Sequence, residues 1–226
     1  MFDRTLKLID QNLLKKIGLQ KVLLVGIGGV GSFVLESLIR SGFLDITLID
    51  SDSIEKSNLN RQIISTKTNL GKLKIEEAKK RGLSINPQVQ IKTFPIFLEK
   101  DNFNLIIDQQ YDYIIDACDT ITTKILLIEY ALKNNIKIIS CMGTANRLDP
   151  RKLEITRLDK TQNDPLAKSV RHLLKKRNLS LKIPVIWSQE IPIKNKELGS
   201  MIMVPATAGI LITYYLINEI KKATTT

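Results

Sequence analysis

The sequence predicts an α/β protein built on a doubly wound, mainly parallel sheet, with a C-terminal α+β extension that completes the sheet. Two observations carry the prediction. Residues 21–52, KVLLVGIGGVGSFVLESLIRSGFLDITLIDSD, read as strand, glycine-rich turn, helix and strand. Beyond them, apolar runs of strand length alternate with helical patterns as far as residue 141, the rhythm of βα units whose ligands sit at the carboxyl ends of the strands. The 226 residues suffice for one ample core. We read them as a single domain with a helical lead-in at 1–18, a βα core at 19–142 and an extension at 143–226.

In the lead-in, Asp10 is placed to cap a helix whose apolar face is Leu13, Leu14 and Ile17, with Gly18 as its stop. Residues 22–25 form a strand buried on both faces. Gly26, Gly28, Gly29 and Gly31 then let the chain turn tightly, approach a phosphate without a Cβ in the way, and set the next helix close to the sheet. Val30, Val34, Leu35, Leu38 and Ile39 share one face of that helix, and Gly42 sits at its C-terminal cap. Its N-terminus offers unpaired N–H groups to an anion. The strand at 46–49 ends in Asp50, 19 residues beyond Gly31, where a carboxylate can accept bonds from ribose hydroxyls. Such a unit binds a nucleotide, and NAD, FAD, S-adenosylmethionine and ATP all use it.

Residues 51–70 are polar, irregular and too long for an ordinary connection, which marks function. A lysine-rich helix is expected over 71–83, a strand over 89–94, a short helix over 101–108, and a strand over 113–117 that runs into Cys118-Asp119-Thr120. A helix over 122–133 and a strand over 136–141 follow. In the extension, 153–158 alternate like a half-exposed strand, 165–177 form an amphipathic helix, 184–189 and 200–204 read as strands, and 206–220 as a closing helix.

Composition narrows the function. A formal net charge of +11 and a pI near 9.6 suggest a polyanionic partner, although general lysine enrichment would give the same balance. Between residues 151 and 182, ten Lys or Arg stand against three Asp or Glu. On the helix over 165–177, Lys168, Arg171 and Lys175 lie opposite Leu166, Val170, Leu173 and Leu174, a face that fits either plain solvation or a nucleic acid. His172, the single histidine, lies among these cations. Cys118 and Cys141 form no CxxC pair, so they offer no zinc site and fit a reducing cytoplasm as packed thiols at strand ends. The N-terminus lacks the apolar core of a signal peptide. The apolar run at 201–217 is divided by Pro205 and shorter than the roughly 20 residues of a span, so no stable membrane insertion is expected.

The stretch after Asp50 selects the nucleotide. Asn58-Leu59-Asn60-Arg61-Gln62 brings amides and a guanidinium just past the ribose acid, and Lys74 opens the next helix. A dinucleotide is held mostly by backbone N–H groups; a triphosphate carries more charge, so Arg61 and Lys74 together favour ATP. Asp119, at a strand end, would then hold Mg2+, since hard cations take carboxylate and phosphate oxygens together.

GIGGVG, LIDSD, SNLNRQ, the Gly71–Lys74 segment GKLK, and IIDACD, in this order and spacing, resemble the adenylating domain of the ubiquitin-activating E1-like (ThiF-type) superfamily. MGTANRLDPRKLEITRLDKTQNDPL at 142–166 and MVPATAG at 203–209 are similar to its tRNA threonylcarbamoyladenosine dehydratase branch. The resemblance implies a Rossmann-like sheet and an ATP-dependent cyclisation of the threonylcarbamoyl group on a tRNA adenosine through an acyl-adenylate. It also implies that Gly26, Gly28, Gly29 and Gly31 cradle phosphates and that Asp50 holds the ribose, with Asp52 assisting. Asn58, Arg61 and Lys74 would meet the triphosphate and Asp119 the magnesium. Arg4 would reach the γ-phosphate of a partner chain, which makes a homodimer part of the active site. The tRNA would rest on Lys168, Arg171 and Lys175, an expectation from charge alone.

Two other readings stay open: an E1-like activator of a small protein's C-terminal carboxylate, or partner in sulfur transfer, and a nicotinamide oxidoreductase. The first usually carries two CxxC pairs, absent here, and for the second Arg61 and Lys74 are surplus. Cys118 lies inside the D-x-x-D motif, and Cys141 stands where the branch tends to have a small hydroxyl residue. Ser188 and Glu190, near a strand end, would either line the substrate pocket or only terminate the strand.

Overall fold

The computed structural model describes residues 1–106 and 110–225. Strands β1 (Lys21–Val25), β2 (Asp45–Ile49), β3 (Gln90–Phe94), β4 (Tyr113–Asp116), β5 (Lys137–Cys141), β6 (Leu153–Arg157) and β7 (Pro184–Ser188) form one seven-stranded sheet, in the order β3-β2-β1-β4-β5-β7-β6. All neighbours pair in parallel except β6 with β7. From β1 the chain winds outward to β3, then returns to β4 on the other side of β1. That reversal opens a crevice beyond the carboxyl ends of β1 and β4, where open α/β sheets bind ligands.

Among the described residues seven α-helices accompany the sheet: α1 (Gln11–Gly18), α2 (Gly31–Arg40), α3 (Lys74–Ile85), α4 (Lys100–Ile106), α5 (Ile121–Lys133), α6 (Pro165–Lys176) and α7 (Met203–Thr225). Successive strand residues point to opposite faces, and β1 shows the result. Val22 and Leu24 join a core with α1, α2, α3 and α7, while Leu23 and Val25 join another with α5 and α6. Central strands in such a sandwich must be apolar throughout, which is why 22–25 show no alternation.

The N-terminal elements follow their local chemistry. Asp10 caps α1 by accepting from the Leu13 N–H at 2.7 Å. Gly42, at φ +103°, follows the α2 cap in the left-handed conformation that glycine adopts most readily.

Two of these expected elements need correction. No strand forms over 200–204, because α7 begins at Met203. Pro205 sits in its first turn, where a missing N–H costs no helical bond. The lysine-rich helix starts at Lys74, not at 71; Gly71 lies in the preceding turn at φ +80°. The end of the helix expected over 101–108 lies outside the described residues.

α7 is long and apolar enough to cross a membrane by length and composition. Val204, Ala208, Ile212, Leu216 and Ile220 form its buried stripe at the spacing of a helix seam. It packs along α2, where Ser37 Oγ and Thr213 Oγ1 lie 2.6 Å apart. Gly209 makes the approach possible, since a Cβ there would stand 2.7 Å from the Val30 carbonyl oxygen.

Candidate active site

A cavity of about 870 Å³ opens at the carboxyl ends of β1, β2, β4 and β5. One part is lined by the glycine turn, Asp50, Asp52, Asn58, Arg61, Lys74 and Asp119. The other is lined by residues 143–147, Asp164 to Leu166, and the segment from Pro192 to Ser200.

The glycines of the turn divide by role. At Gly26, φ is +90° and a Cβ would lie 2.8 Å from Ala117 O and Cys118 N; at Gly31 it would strike the Gly26 carbonyl. These two let the turn fold against the end of β4. At Gly28 a Cβ would meet nothing nearer than Gln62 Nε2 at 4.0 Å, so the backbone there is bare toward the cavity. Gly29 lies under Pro205 and Arg61. α2 starts at Gly31 and points its positive end into the same space.

Asp50 braces this turn. Its Oδ2 accepts from Ile27 N at 2.5 Å and its Oδ1 from Asp52 N at 2.8 Å. Burial holds its carboxyl above the ordinary aspartate value, against the pull of those N–H groups and of Lys74. Each oxygen keeps a second lone pair for a hydroxyl donor. Lys74, almost fully buried, reaches Asp52 Oδ2 at 2.7 Å. Arg61 Nη1 donates to Ser57 O at 2.7 Å and to Asn60 Oδ1 at 3.0 Å. Asn58 is 7% exposed and closes a capping box with Glu55. Asp119 is exposed on the cavity wall.

Beneath Asp119 lies a network that sequence reasoning missed. Asp116, the first acid of D-x-x-D, and Lys124 of α5 are both 0% exposed and pair at 3.0 Å. Lys124 Nζ also donates to Cys141 O at 2.8 Å, while Asp116 accepts from the Ser140 hydroxyl and from Cys118 Sγ at 3.0 Å. Burial draws the Lys124 pKa down, but the groups around it, Asp116 foremost, together outweigh it and the net shift is upward. The ends of β4 and β5 are thus clamped to α5 under the loop that carries Asp119. The signal was a lysine on the apolar face of a helix, flanked by Ile121, Ile125 and Ile128.

A second buried pair shapes the other end of the cavity. Arg147 Nη2 lies 3.5 Å from Asp164 Oδ2, and Asp164 also accepts from Gly143 N at 3.0 Å and caps α6 through Ala167 N at 3.0 Å. Arg147 further donates to the carbonyls of Gly143 and Glu190.

Residues 2–154 match the ThiF family. Over 98% of its length the chain is 34% identical to the tRNA threonylcarbamoyladenosine dehydratase of Bacillus subtilis, covering 94% of that protein. The chain belongs to the ThiF family, in its tRNA threonylcarbamoyladenosine dehydratase branch. Two crystal structures of the Escherichia coli dehydratase agree with this fold: one in complex with ATP, at 32% identity, and one in complex with AMP, at 31%. Each has a TM-score of 0.94 and covers 99% of this chain and 95% of that one.

Against that background, the glycine turn, Asp50, Asp52, Asn58, Arg61, Lys74 and Asp119 meet in one cavity of this ThiF member. Arg4 does not: it is exposed at the start of a short 3-10 helix, outside the cavity of its own chain. Lys168 and Lys175 are exposed on α6, and Arg171 is half-buried there. Its Nη1 bonds the Thr161 hydroxyl and, at 3.0 Å, the Thr161 carbonyl. Ser188 and Glu190 do not line the cavity; Ser188 is buried at the end of β7, and the Glu190 carboxylate accepts from Leu148 N and Asp149 N. Neither thiol is poised as a nucleophile. Burial and the neighbouring Asp116 hold the Cys118 pKa far up, and burial pushes Cys141 up to about 12.

Proposed function

We propose that this protein cyclises N6-threonylcarbamoyladenosine in tRNA by an ATP-dependent dehydration that proceeds through an acyl-adenylate. One observation carries the proposal: the nucleotide residues and a second, differently lined compartment share a single cavity, so an activated carbonyl would form and react without leaving it.

The threonyl carboxylate attacks the α-phosphorus, the bond to pyrophosphate breaks, and a mixed anhydride with AMP results. The carbamoyl oxygen attacks the activated carbonyl, AMP departs, the carbamoyl nitrogen loses its proton, and a ring closes with net loss of one water. No protein nucleophile is required, in keeping with the raised thiol pKa values of Cys118 and Cys141. The chain's part is to orient two anions and to neutralise charge as it develops.

In this reading the bare backbone at Gly28 and the start of α2 receive phosphate oxygens, and Asp50 accepts from the ribose. Arg61 and Lys74 meet the polyphosphate, with Asn58 beside them. Lys74 exchanges its bond to Asp52 for a phosphate at small cost, because Asp52 is exposed enough to be solvated. Asp119 suits a magnesium ion. Its carboxylate faces the cavity without a hydrogen bond or ion pair among the described residues, whereas Asp116 is spent on Lys124. No cluster of three metal-binding side chains exists among the described residues, so phosphates and water would complete the shell. Such an ion would stabilise the leaving pyrophosphate.

A homodimer belongs to the same proposal, with Arg4 directed to a partner's cavity. Supporting it, Arg4 sits beside Leu8, which is 88% exposed, and Leu6, apolar surface that a partner would cover. Exposed Lys168 and Lys175 would track the tRNA backbone. A cytoplasmic location is part of the reading, supported by two free thiols. A sulfur-transfer partner is not needed for this chemistry.

The test incubates the protein with ATP, magnesium and tRNA bearing threonylcarbamoyladenosine, and measures the digested nucleoside by mass spectrometry. We expect loss of one water, dependent on ATP and abolished in Asp119→Ala. An unchanged nucleoside, with pyrophosphate exchange supported instead by a carrier protein, would overturn the reading.

A further inference from the structure

The segment between β7 and α7, residues 189–202, has no regular structure, yet Pro192 to Ser200 form one side of the cavity. It is held by few bonds. From Ile191 to Met201, every hydrogen bond to the rest of the described chain goes to Asn146 or Asn60. Asn146 N donates to Gly199 O at 2.7 Å, Gly199 N to Asn146 Oδ1 at 2.6 Å, and Ile193 N to Asn146 O at 2.8 Å. Asn146 makes this set at φ +58°. Asn60 Nδ2 donates to Ser200 O at 2.9 Å. Packing adds little: Leu198 is 84% exposed and Ile191 69%. A segment with few buried apolar contacts opens at low free energy.

Asn60 also faces the other way. Its Oδ1 accepts from Arg61 Nη1 at 3.0 Å, so a single planar amide joins the segment to the guanidinium. Only Nη1 of Arg61 is engaged among the described residues; Nε and Nη2 are left for an anion. The bonds to Ser57 and Asn60 therefore hold one end of the guanidinium and leave the other end unbonded, on a residue that lines the cavity.

We propose that Asn60 is a positioning residue that couples closure of the 189–202 segment to polyphosphate binding at Arg61. The inference rests on the nucleotide reading above. A closed segment fixes the Asn60 amide, and the amide fixes Arg61 in the orientation that receives phosphate. By linkage, a polyphosphate on Arg61 must hold the segment closed to the same degree. The wall of the acceptor compartment is thereby completed when ATP is present, which protects the acyl-adenylate from water.

Lys194 and Lys196 are exposed within the segment and report its opening to trypsin. The experiment measures cleavage after these two lysines by mass spectrometry, with and without ATP and magnesium, alongside calorimetric ATP binding. It uses the wild type and Asn60→Asp, which keeps the acceptor for Arg61 and removes the donor to Ser200. In the wild type, saturating ATP is expected to slow cleavage at both sites at least about fivefold. In Asn60→Asp, ATP still binds but the protection is lost; an unchanged melting temperature excludes general loosening. Equal cleavage of the wild type with and without bound ATP would overturn the coupling. Protection of Asn60→Asp equal to that of the wild type would overturn the role of Asn60. A wild type that binds no ATP in the calorimeter would instead remove the nucleotide reading beneath it.

Discussion

Replacing Lys124 by methionine tests whether the clamp under the Asp119 loop is a coupled pair. The methionine fills similar volume but leaves Asp116 fully buried, with the Ser140 hydroxyl, the Cys118 thiol and the Cys118 N–H as remaining donors. Removing one partner of a buried pair costs about 3–5 kcal/mol, because the other charge stays uncompensated. In a chain of this size each kcal/mol lowers Tm by about 2–4 °C, so Lys124→Met should melt about 6–20 °C below the wild type. Asp116→Asn should also destabilise, since Lys124 then loses its counter-charge and keeps only neutral acceptors, the Cys141 carbonyl and Ser140 among them. In the double variant no uncompensated charge remains. Its loss should therefore fall short of the summed single losses by about 2 kcal/mol or more. Urea unfolding of all four proteins, followed by circular dichroism, closes the cycle. Losses that add within about 0.5 kcal/mol would refute the clamp as described.

Asp50 links binding to pH. Its carboxyl is raised by burial, so in the ionised form it costs folding stability at neutral pH, a cost that disappears as the pH falls through the raised value. On the proposed ribose contact, binding needs the carboxylate, so ATP affinity should weaken over the same acid range, above that of an ordinary aspartate, as calorimetry from neutral to acid pH would report. The stability of wild type relative to Asp50→Asn should rise as the pH drops; a gap moving the other way contradicts the assignment. Gly209→Ala forces a methyl against the Val30 carbonyl and Phe33 and should cost about 1–3 kcal/mol, read as a lower urea midpoint. Lys168→Ala and Lys175→Ala should each reduce the salt dependence of tRNA binding by about one unit of slope. Arg171→Ala should instead lower thermal stability, having lost its bonds to Thr161.

The nucleotide-binding half was legible because its determinants are local. The strand, glycine turn, helix and Asp50 lie within 30 residues, and each position is explained by its immediate neighbours. Asp119 was legible for the same reason, as a polar residue at a strand end. What escaped depends on distance in the chain. Lys124 looked like one cation of a helix until β4 and β5 brought Asp116 and the Cys141 carbonyl to it. Arg147 and Asp164 pair across a loop and a helix start that share no pattern. Arg171 was placed by helical angle, which gives the direction of Cβ but not the reach of a long side chain back to Thr161. Residues 200–204 read as a strand because MIMV is apolar and short, and periodicity cannot separate that from the start of a buried helix.

The bond between Ser37 and Thr213 joins positions 176 residues apart, and this has a consequence for the nascent chain. At about 5–20 residues per second, roughly 10–35 s separate the emergence of α2 from that of its covering helix. During that interval the face of α2 that α7 will cover has no partner, and Pro205 is not yet in place against Gly29. The glycine turn at the start of α2 is synthesised well before the helix that finishes its surroundings, and in that interval a holdase would have an apolar helix face to grip.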